Sequence, residues 1–410
     1  MDKRWWYGLT VVVCAPAALA QEAPDAAELR DYVRKLEGRV ADLEREREWP
    51  LDAARAQSPS ALEAAVRSVN LTGYMEFVYA YNLRPGGDTA ASRGDTLGFN
   101  QLRGPDADVN GFSFQNLELL ADRPLAADGS TGFHVRLSYG VLGTIAHADP
   151  NFDGGPGGNA FDVREAYFSW RAPFDPTGHV DLSVGKFRTP LGFEALENTD
   201  NWTVTRNPIA VFGTPVTHTG LRATLPVSEK FAANLYLVNG WDAVRAPNDG
   251  KTVIANLVLG RFDTLSSQIQ LNASYGSVST PGAPQGDKIR LVEVVWDGKL
   301  SDPTEFALDL LAARGPARSW RGAAAYVRHH ATDTFWISGR AGWYADDALG
   351  TNGARILDGT IAVGCDVAKD LTVALEYRHD FSRSDGTYLS SSGGACEHQD
   401  TLTASFLYRF

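Results

Sequence analysis

The 410 residues carry 38 Lys and Arg against 50 Asp and Glu, a formal net charge of −12. That balance excludes the basic face that nucleic-acid binding requires, and no C-x-x-C or G-x-S-x-G spacing marks a redox or hydrolase site. Beyond residue 20 no run approaches the roughly 18–20 apolar residues of a membrane helix, so the mature chain is either soluble or a β-barrel.

Residues 1–20 have the form of a signal peptide. Lys3 and Arg4 precede a short apolar stretch, and Ala18-Leu19-Ala20 is a small-x-small site with cleavage expected after Ala20. Residues 21–60 form a second region. Within 25–48, Leu29, Val33, Leu36, Val40 and Leu43 recur at alternating spacings of four and three, with valine at a and leucine at d of a heptad. Arg39 at g then faces Glu44 at the following e, the interchain pairing of a coiled coil. The alternatives are an oligomerising coil and an amphipathic helix packed on its own chain. Pro50 and Ser58-Pro59-Ser60 read as a linker.

Residues 61–410 form the third region, the expected barrel, and from Leu71 onward the period changes to two. Sixteen strands are expected: 71–82, 109–121, 131–143, 160–172, 178–187, 215–226, 229–241, 250–263, 266–278, 287–299, 303–313, 320–330, 333–345, 355–367, 370–381 and 399–410. Most exceed the five or six residues usual in soluble sheets. Their length suits a tilted crossing of a bilayer, which takes about nine to eleven. Short connections alternate with long ones rich in Gly, Pro, Asn and Asp, notably 83–108, 144–159, 188–214 and 382–398. This is the asymmetry of outer-membrane barrels, with periplasmic turns and outer loops. An even strand count puts both termini, and the helical segment, on the periplasmic side. Trp170, Trp241, Trp296, Trp320, Trp343 and Tyr344 fall near strand ends, where interfacial girdles belong. The fold expected is all-β: a transmembrane antiparallel up-and-down barrel of about sixteen strands, preceded by a short periplasmic α-helix or coiled coil. A bilayer requires such a sheet to close on itself. A soluble sandwich or β-helix is the competing fold.

The last strand ends on an alternating stripe of Leu402, Ala404, Phe406, Tyr408 and Phe410. Its apolar half should face lipid. Phe406, Tyr408 and Phe410 also resemble the terminal signal read by the outer-membrane barrel-assembly machinery.

Three stretches carry a family likeness: Val184-Gly185-Lys186-Phe187-Arg188-Thr189-Pro190-Leu191-Gly192-Phe193-Glu194, Pro215-Val216-Thr217-His218-Thr219-Gly220-Leu221, and Val238-Asn239-Gly240-Trp241-Asp242. In order and spacing the chain from about Leu71 to Phe410 resembles the OmpL-like β-barrel porin family. Phosphate-selective porins are a weaker match, because strands here are poor in lysine and carry inward acids. The resemblance implies a porin in the outer membrane: no cofactor, no enzymatic activity, and small hydrophilic solutes passing by diffusion. Analogy with porins adds a homo-oligomer, a trimer, although Val at a and Leu at d favour a dimer.

A sixteen-strand barrel is wide enough for an aqueous channel. The narrowest section is then expected at loop 188–214, with Arg188, Glu194, Glu197, Asp200 and Arg206 forming the constriction. Inward parity assigns Glu76, Glu118, Arg136, Glu165, Glu293, Asp309, Glu376 and Arg378 to the pore wall. Six acids against two arginines predict a weak cation preference. Asp149-Pro150-Asn151-Phe152-Asp153-Gly154 copies the start of a calcium loop, but Ala160 stands where the closing Glu is needed, so no metal site is assigned. Two other functions are compatible with the same strands. One is a structural or adhesive barrel closed by residues 25–60. The other is an outer-membrane lipase, which would need a Ser–His pair on the lipid face.

Overall fold

The computed structural model describes residues 27 and 30–42, then 68–410 apart from 84–99, 101, 107, 109, 126–130, 147–159, 176–177, 247–248, 261–265, 278–287, 350–352, 385–387 and 390–394. The signal-like residues 1–20, the linker around Pro50 and the calcium-like stretch at 149–154 lie outside the described residues. Two compact units are present, residues 1–68 and 69–410. In the first, residues 30–42 form helix α1, whose Tyr32, Val33, Leu36 and Val40 are all exposed.

The second unit is a closed ring. Its first half comprises β1 (Asn70–Asn82), β2 (Gly111–Arg123), β3 (Thr131–Tyr139), β4 (Phe161–Phe174), β5 (Gly178–Arg188), β6 (Thr217–Ser228), β7 (Phe231–Val238) and β8 (Thr252–Gly260). The second half comprises β9 (Gln268–Ser277), β10 (Lys288–Ser301), β11 (Thr304–Arg314), β12 (Ser319–His330), β13 (Phe335–Asp346), β14 (Ala354–Ala368), β15 (Leu371–Phe381) and β18 (His398–Arg409). A separate ribbon of β16 (Tyr388–Leu389) and β17 (Ala395–Cys396) sits in the connection from β15 to β18. Each barrel strand pairs antiparallel with its sequence neighbours, and β1 pairs with β18 to close the sheet. Closure gives interior strand edges no unpaired N–H or C=O, which is the condition for standing in hydrocarbon.

The terminal phenylalanine belongs to that seam. Phe410 donates its N–H to Gly73 O and accepts from Gly73 N, both at 2.9 Å. Phe406, Tyr408 and Phe410 all face outward and are exposed.

Period-two alternation sorts the side chains as expected. Along β14, Leu357 and Ile361 project outward and are exposed, while Ile356, Asp358 and Ala362 are buried inside. The sorting inverts that of a soluble protein, in which charged side chains are seldom buried. Here the ring keeps its charges inside and shows aliphatic residues outside.

Two strand ends depart from the sequence reading. β3 stops at Tyr139, where the chain turns at Gly140 into helix α2 (Val141–Ala146). β7 stops at Val238 because Gly240 and Asp242 take φ of 144° and 52°. The girdle assignment also needs correction. Trp170 and Trp343 are outward and exposed, but Trp320 and Tyr344 are buried inside the ring, and Trp241 packs edge-on against Trp320 at 5.9 Å. Their partner is the long segment between β5 and β6, which fills that side of the lumen.

Candidate functional site: a strap across the lumen

The segment from Thr189 to Val216 folds into the ring. Its base is closed by Thr189 N donating to Val216 O at 3.0 Å. Asp242 Oδ1 accepts from Val216 N and Thr217 N, each at 2.8 Å, which fixes the re-entry into β6. The wall beside it is drawn tight by glycine. Gly185 and Gly220 pair across β5 and β6 with φ of 141° and 159°. A Cβ on either would lie 2.2 Å from a backbone oxygen of the adjacent strand. Both the backbone angle and the space therefore demand glycine.

One face of the strap is apolar. Leu191 and Ile209 join Phe187, Tyr236, Ile254, Leu291, Leu311, Trp320, Tyr326 and Tyr344 in a buried cluster. Trp320 Nε1 donates to Gly213 O at 3.0 Å, so the buried indole keeps a partner.

The polar edges reach the rest of the ring. Gly192 N donates to Glu293 at 2.9 Å, and Phe193 N to Asp309 at 3.2 Å. Asn198 Nδ2 donates to Glu76 at 2.6 Å. Val204 N and Thr205 N both donate to Glu376, at 2.5 and 3.2 Å. Asn207 donates to Tyr326 Oη, and Ser338 Oγ donates to Trp202 O. The strap is thus held by β1, β10, β11, β12, β13 and β15.

Ion pairs complete the attachment. Arg340 pairs with Glu194 at 2.8 Å and with Asp358 at 2.7 Å, and all three side chains are out of water. Arg206 pairs with Asp106 at 2.9 Å. Arg103 and Arg378 both pair with Asp380, at 2.5 and 2.8 Å. Arg164 on β4 meets Glu197 at 3.1 Å. Burial by itself raises the Glu197 carboxyl, but the guanidiniums of Arg164, Arg188 and Arg136 outweigh it and hold the group below the usual carboxylate range. Burial opposes the charged form of Arg206 as well, and the carboxylates of Asp106 and Glu76 overcome it.

The structure brings the five constriction residues into the ring but divides them. Glu194, Glu197 and Arg206 are buried, whereas Arg188 and Asp200 pair at 3.1 Å with 33% and 59% of their side chains exposed. All eight wall residues point inward, yet they do not line open water as expected. Glu76, Glu118, Glu165, Glu293, Asp309, Glu376 and Arg378 are buried, and the Arg136 side chain keeps 14% exposure between Glu118 and Glu165. Strap amides and neighbouring side chains engage one oxygen of each of Glu76, Glu118, Glu293 and Asp309 and leave the other buried without a hydrogen-bond partner. The site residues named from the sequence left out Arg103, Asp106, Arg164, Arg340, Asp358 and Asp380. Inward parity would have found the four on strands; the two in the first long loop carry no such signal.

Space for water remains beside the strap. A cavity of about 260 Å³ is lined by Arg164, Arg188, Pro190, Glu197, Thr214 and Gln270, and another of about 280 Å³ by Asn198, Thr203, Arg328, Trp336, Asp366 and Arg409. Among the described residues no group of three or more His, Cys, Asp or Glu side chains is placed to hold a metal ion.

A family model described as "Putative beta-barrel porin-2, OmpL-like" matches residues 68–410. No curated protein matches in sequence. Solved structures share the fold. The outer membrane channel DcaP of Acinetobacter baumannii is 13% identical with a TM-score of 0.55, covering 83% of this chain and 97% of its own. The anion-selective porin from Comamonas acidovorans is 10% identical with a TM-score of 0.57, covering 83% and 99%. OmpT of Vibrio cholerae in its trimer form is 10% identical with a TM-score of 0.50, covering 83% and 99%.

Proposed function

The chain belongs to the OmpL-like family of putative beta-barrel porins, and on that premise we propose that it is a non-enzymatic outer-membrane channel through which small hydrophilic solutes and ions diffuse. The observation that carries this reading is the strap. A closed ring, polar inside, is crossed by the strap, which leaves two cavities beside it and a partly exposed Arg188–Asp200 pair. A loop of that kind sets the narrowest section of a pore, and its charges set which ions pass.

Charge selectivity depends on which side chains keep water. Counting acids suggested a weak cation preference, but those carboxylates are engaged by amides and arginines. The ion pairs that stay partly in water carry both signs equally: Arg188 with Asp200, Arg328 with Glu305 and Arg171 with Asp181. Selectivity is therefore small, and the acid count is a poor guide to its sign. Export after Ala20, insertion by the barrel-assembly machinery and a homotrimer, as in the trimer form of OmpT, belong to the same proposal.

Purified full-length protein in a planar bilayer tests it. Discrete conductance steps that scale with bulk salt, and reversal potentials near zero in a salt gradient, are expected. A strong cation preference would mean that the buried acids face the ion path. Absence of conductance would favour the closed structural barrel, a reading to which the strap's bonds on six strands lend weight.

A further inference from the structure

On the outer face, β12 to β15 carry a patch unlike the aliphatic belt around it. At one level the outward residues pair across the sheet as Ala341, Gly359, His379 and Asp400. The next level towards the long loops reads Trp343, Leu357, Phe381 and His398. Small residues below large ones leave a groove of about 520 Å³, lined by Ala323, Ala341, Trp343, Leu357, Gly359 and Phe381. A Cβ added to Gly359 would meet nothing within 4 Å. The missing side chain therefore serves no packing need of the barrel; it leaves space on the lipid side.

Directly above, the outward residues are Arg321, Ala345 and Arg355, paired in one row. Arg383 follows β15, its guanidinium 5.9 Å from the centre of the Phe381 ring. These three exposed arginines line a second cavity of about 680 Å³, which shares Trp343 with the groove below. None of the three pairs with a carboxylate among the described residues. Two acids line the same cavity: Asp346 holds Arg318 at 2.5 Å, and Asp347 accepts from the neutral Ser319 N at 2.6 Å and keeps its charge, which leaves three arginines against one carboxylate. Three guanidiniums with no carboxylate partner among the described residues, around an interfacial tryptophan, are costly against hydrocarbon but complement an anionic headgroup.

We propose that this face binds one phosphorylated lipid of the outer leaflet. Its phosphate sits among Arg321, Arg355 and Arg383, which offer the forked donors that phosphate oxygens accept. An acyl chain lies in the groove over Ala341 and Gly359, and Trp343 marks the boundary between the two. The proposal rests on the outer face meeting lipid and not on the ring conducting, so a silent channel would leave it standing.

The test uses full-length protein in detergent, offered diphosphoryl lipid A or phosphatidylethanolamine. Bound lipid is counted by native mass spectrometry after detergent exchange. One lipid A per chain is expected, with phosphatidylethanolamine retained at least about tenfold less. The triple variant Arg321→Gln/Arg355→Gln/Arg383→Gln should weaken lipid A binding by about tenfold or more. Gly359→Phe should weaken it too, while leaving binding of the deacylated phosphosugar unchanged. All these side chains point away from the interior, and heat-modifiable migration on gels checks that each barrel is folded. Equal retention by wild type and the triple variant overturns the proposal, as does a patch found covered by a second copy of the chain.

Discussion

Arg340 offers the sharpest test of how the strap is held. Replacing it with methionine keeps the bulk and removes the charge, leaving Glu194 and Asp358 buried without their cation. Asp358 Oδ1 already lacks a hydrogen-bond partner, so losing Arg340 leaves both of its oxygens poorly satisfied. Removing one member of a buried pair costs roughly 3–5 kcal/mol, chiefly because the orphaned charge stays desolvated. The ring is closed by backbone bonds that the substitution does not touch. The least costly response is for residues 194–207 to leave the wall and rehydrate Glu194. At about 1.4 kcal/mol per decade, the detached strap gains some two to three and a half decades in population. Single-channel recording should then show larger or noisier openings than wild type. A triple variant, Arg340→Met/Glu194→Gln/Asp358→Asn, leaves no charge unpaired and should return most of the wild-type trace. Identical traces from wild type and Arg340→Met would refute the reasoning. So would a triple variant as disturbed as the single one, because the effect would then not come from an uncompensated charge.

Gly185→Ala meets both a positive φ and a backbone oxygen 2.2 Å from its new Cβ; it should destabilise the folded barrel by about 1–3 kcal/mol, read as a fall in the temperature of heat-modifiability. Glu197 supplies a pH test. Its lowered value makes the contact with Arg164 complete above the ordinary glutamate range and lost as pH falls through the lowered one. Acid should therefore loosen the strap and raise open probability, and Glu197→Gln should abolish that component; an acid response that survives in Glu197→Gln counts against the assignment. Deleting residues 21–60 removes the exposed Val33, Leu36 and Val40 of α1. The oligomer measured by light scattering should shrink while conductance per barrel stays constant. A jump in conductance would instead make that segment a plug.

The strands were legible because their information is local. Outward and inward residues alternate within each strand, so β1, β12 and β15 can be read from their own side chains without knowing their neighbours. The same rule sent all eight predicted wall residues inward. What each one does there depends on a segment elsewhere in the chain. Glu376 is an inward acid in the sequence; only the fold gives it the amides of Val204 and Thr205, 172 and 171 residues away. The same gap explains the misread aromatics. Trp320 and Tyr344 sit near strand ends, as girdle residues do, but their inward parity was the stronger signal: Trp320 shares the face of Ala324 and Tyr326, and Tyr344 that of Arg340. An inward tryptophan has no reason to exist in a wide, water-filled ring, since nothing apolar would cover it. Its presence there is itself a sign that a segment folds inside. Three such residues on adjacent or nearby strands, Tyr326 included, mark the side on which Ile209 and Leu191 come to rest. A barrel sequence that breaks its own inside-polar rule on one arc is thus announcing where its loop docks. The outward arginines, which have no carboxylate partner among the described residues, and the groove beside them break the opposite rule, and by the same logic they mark where a headgroup is held beside its acyl chain.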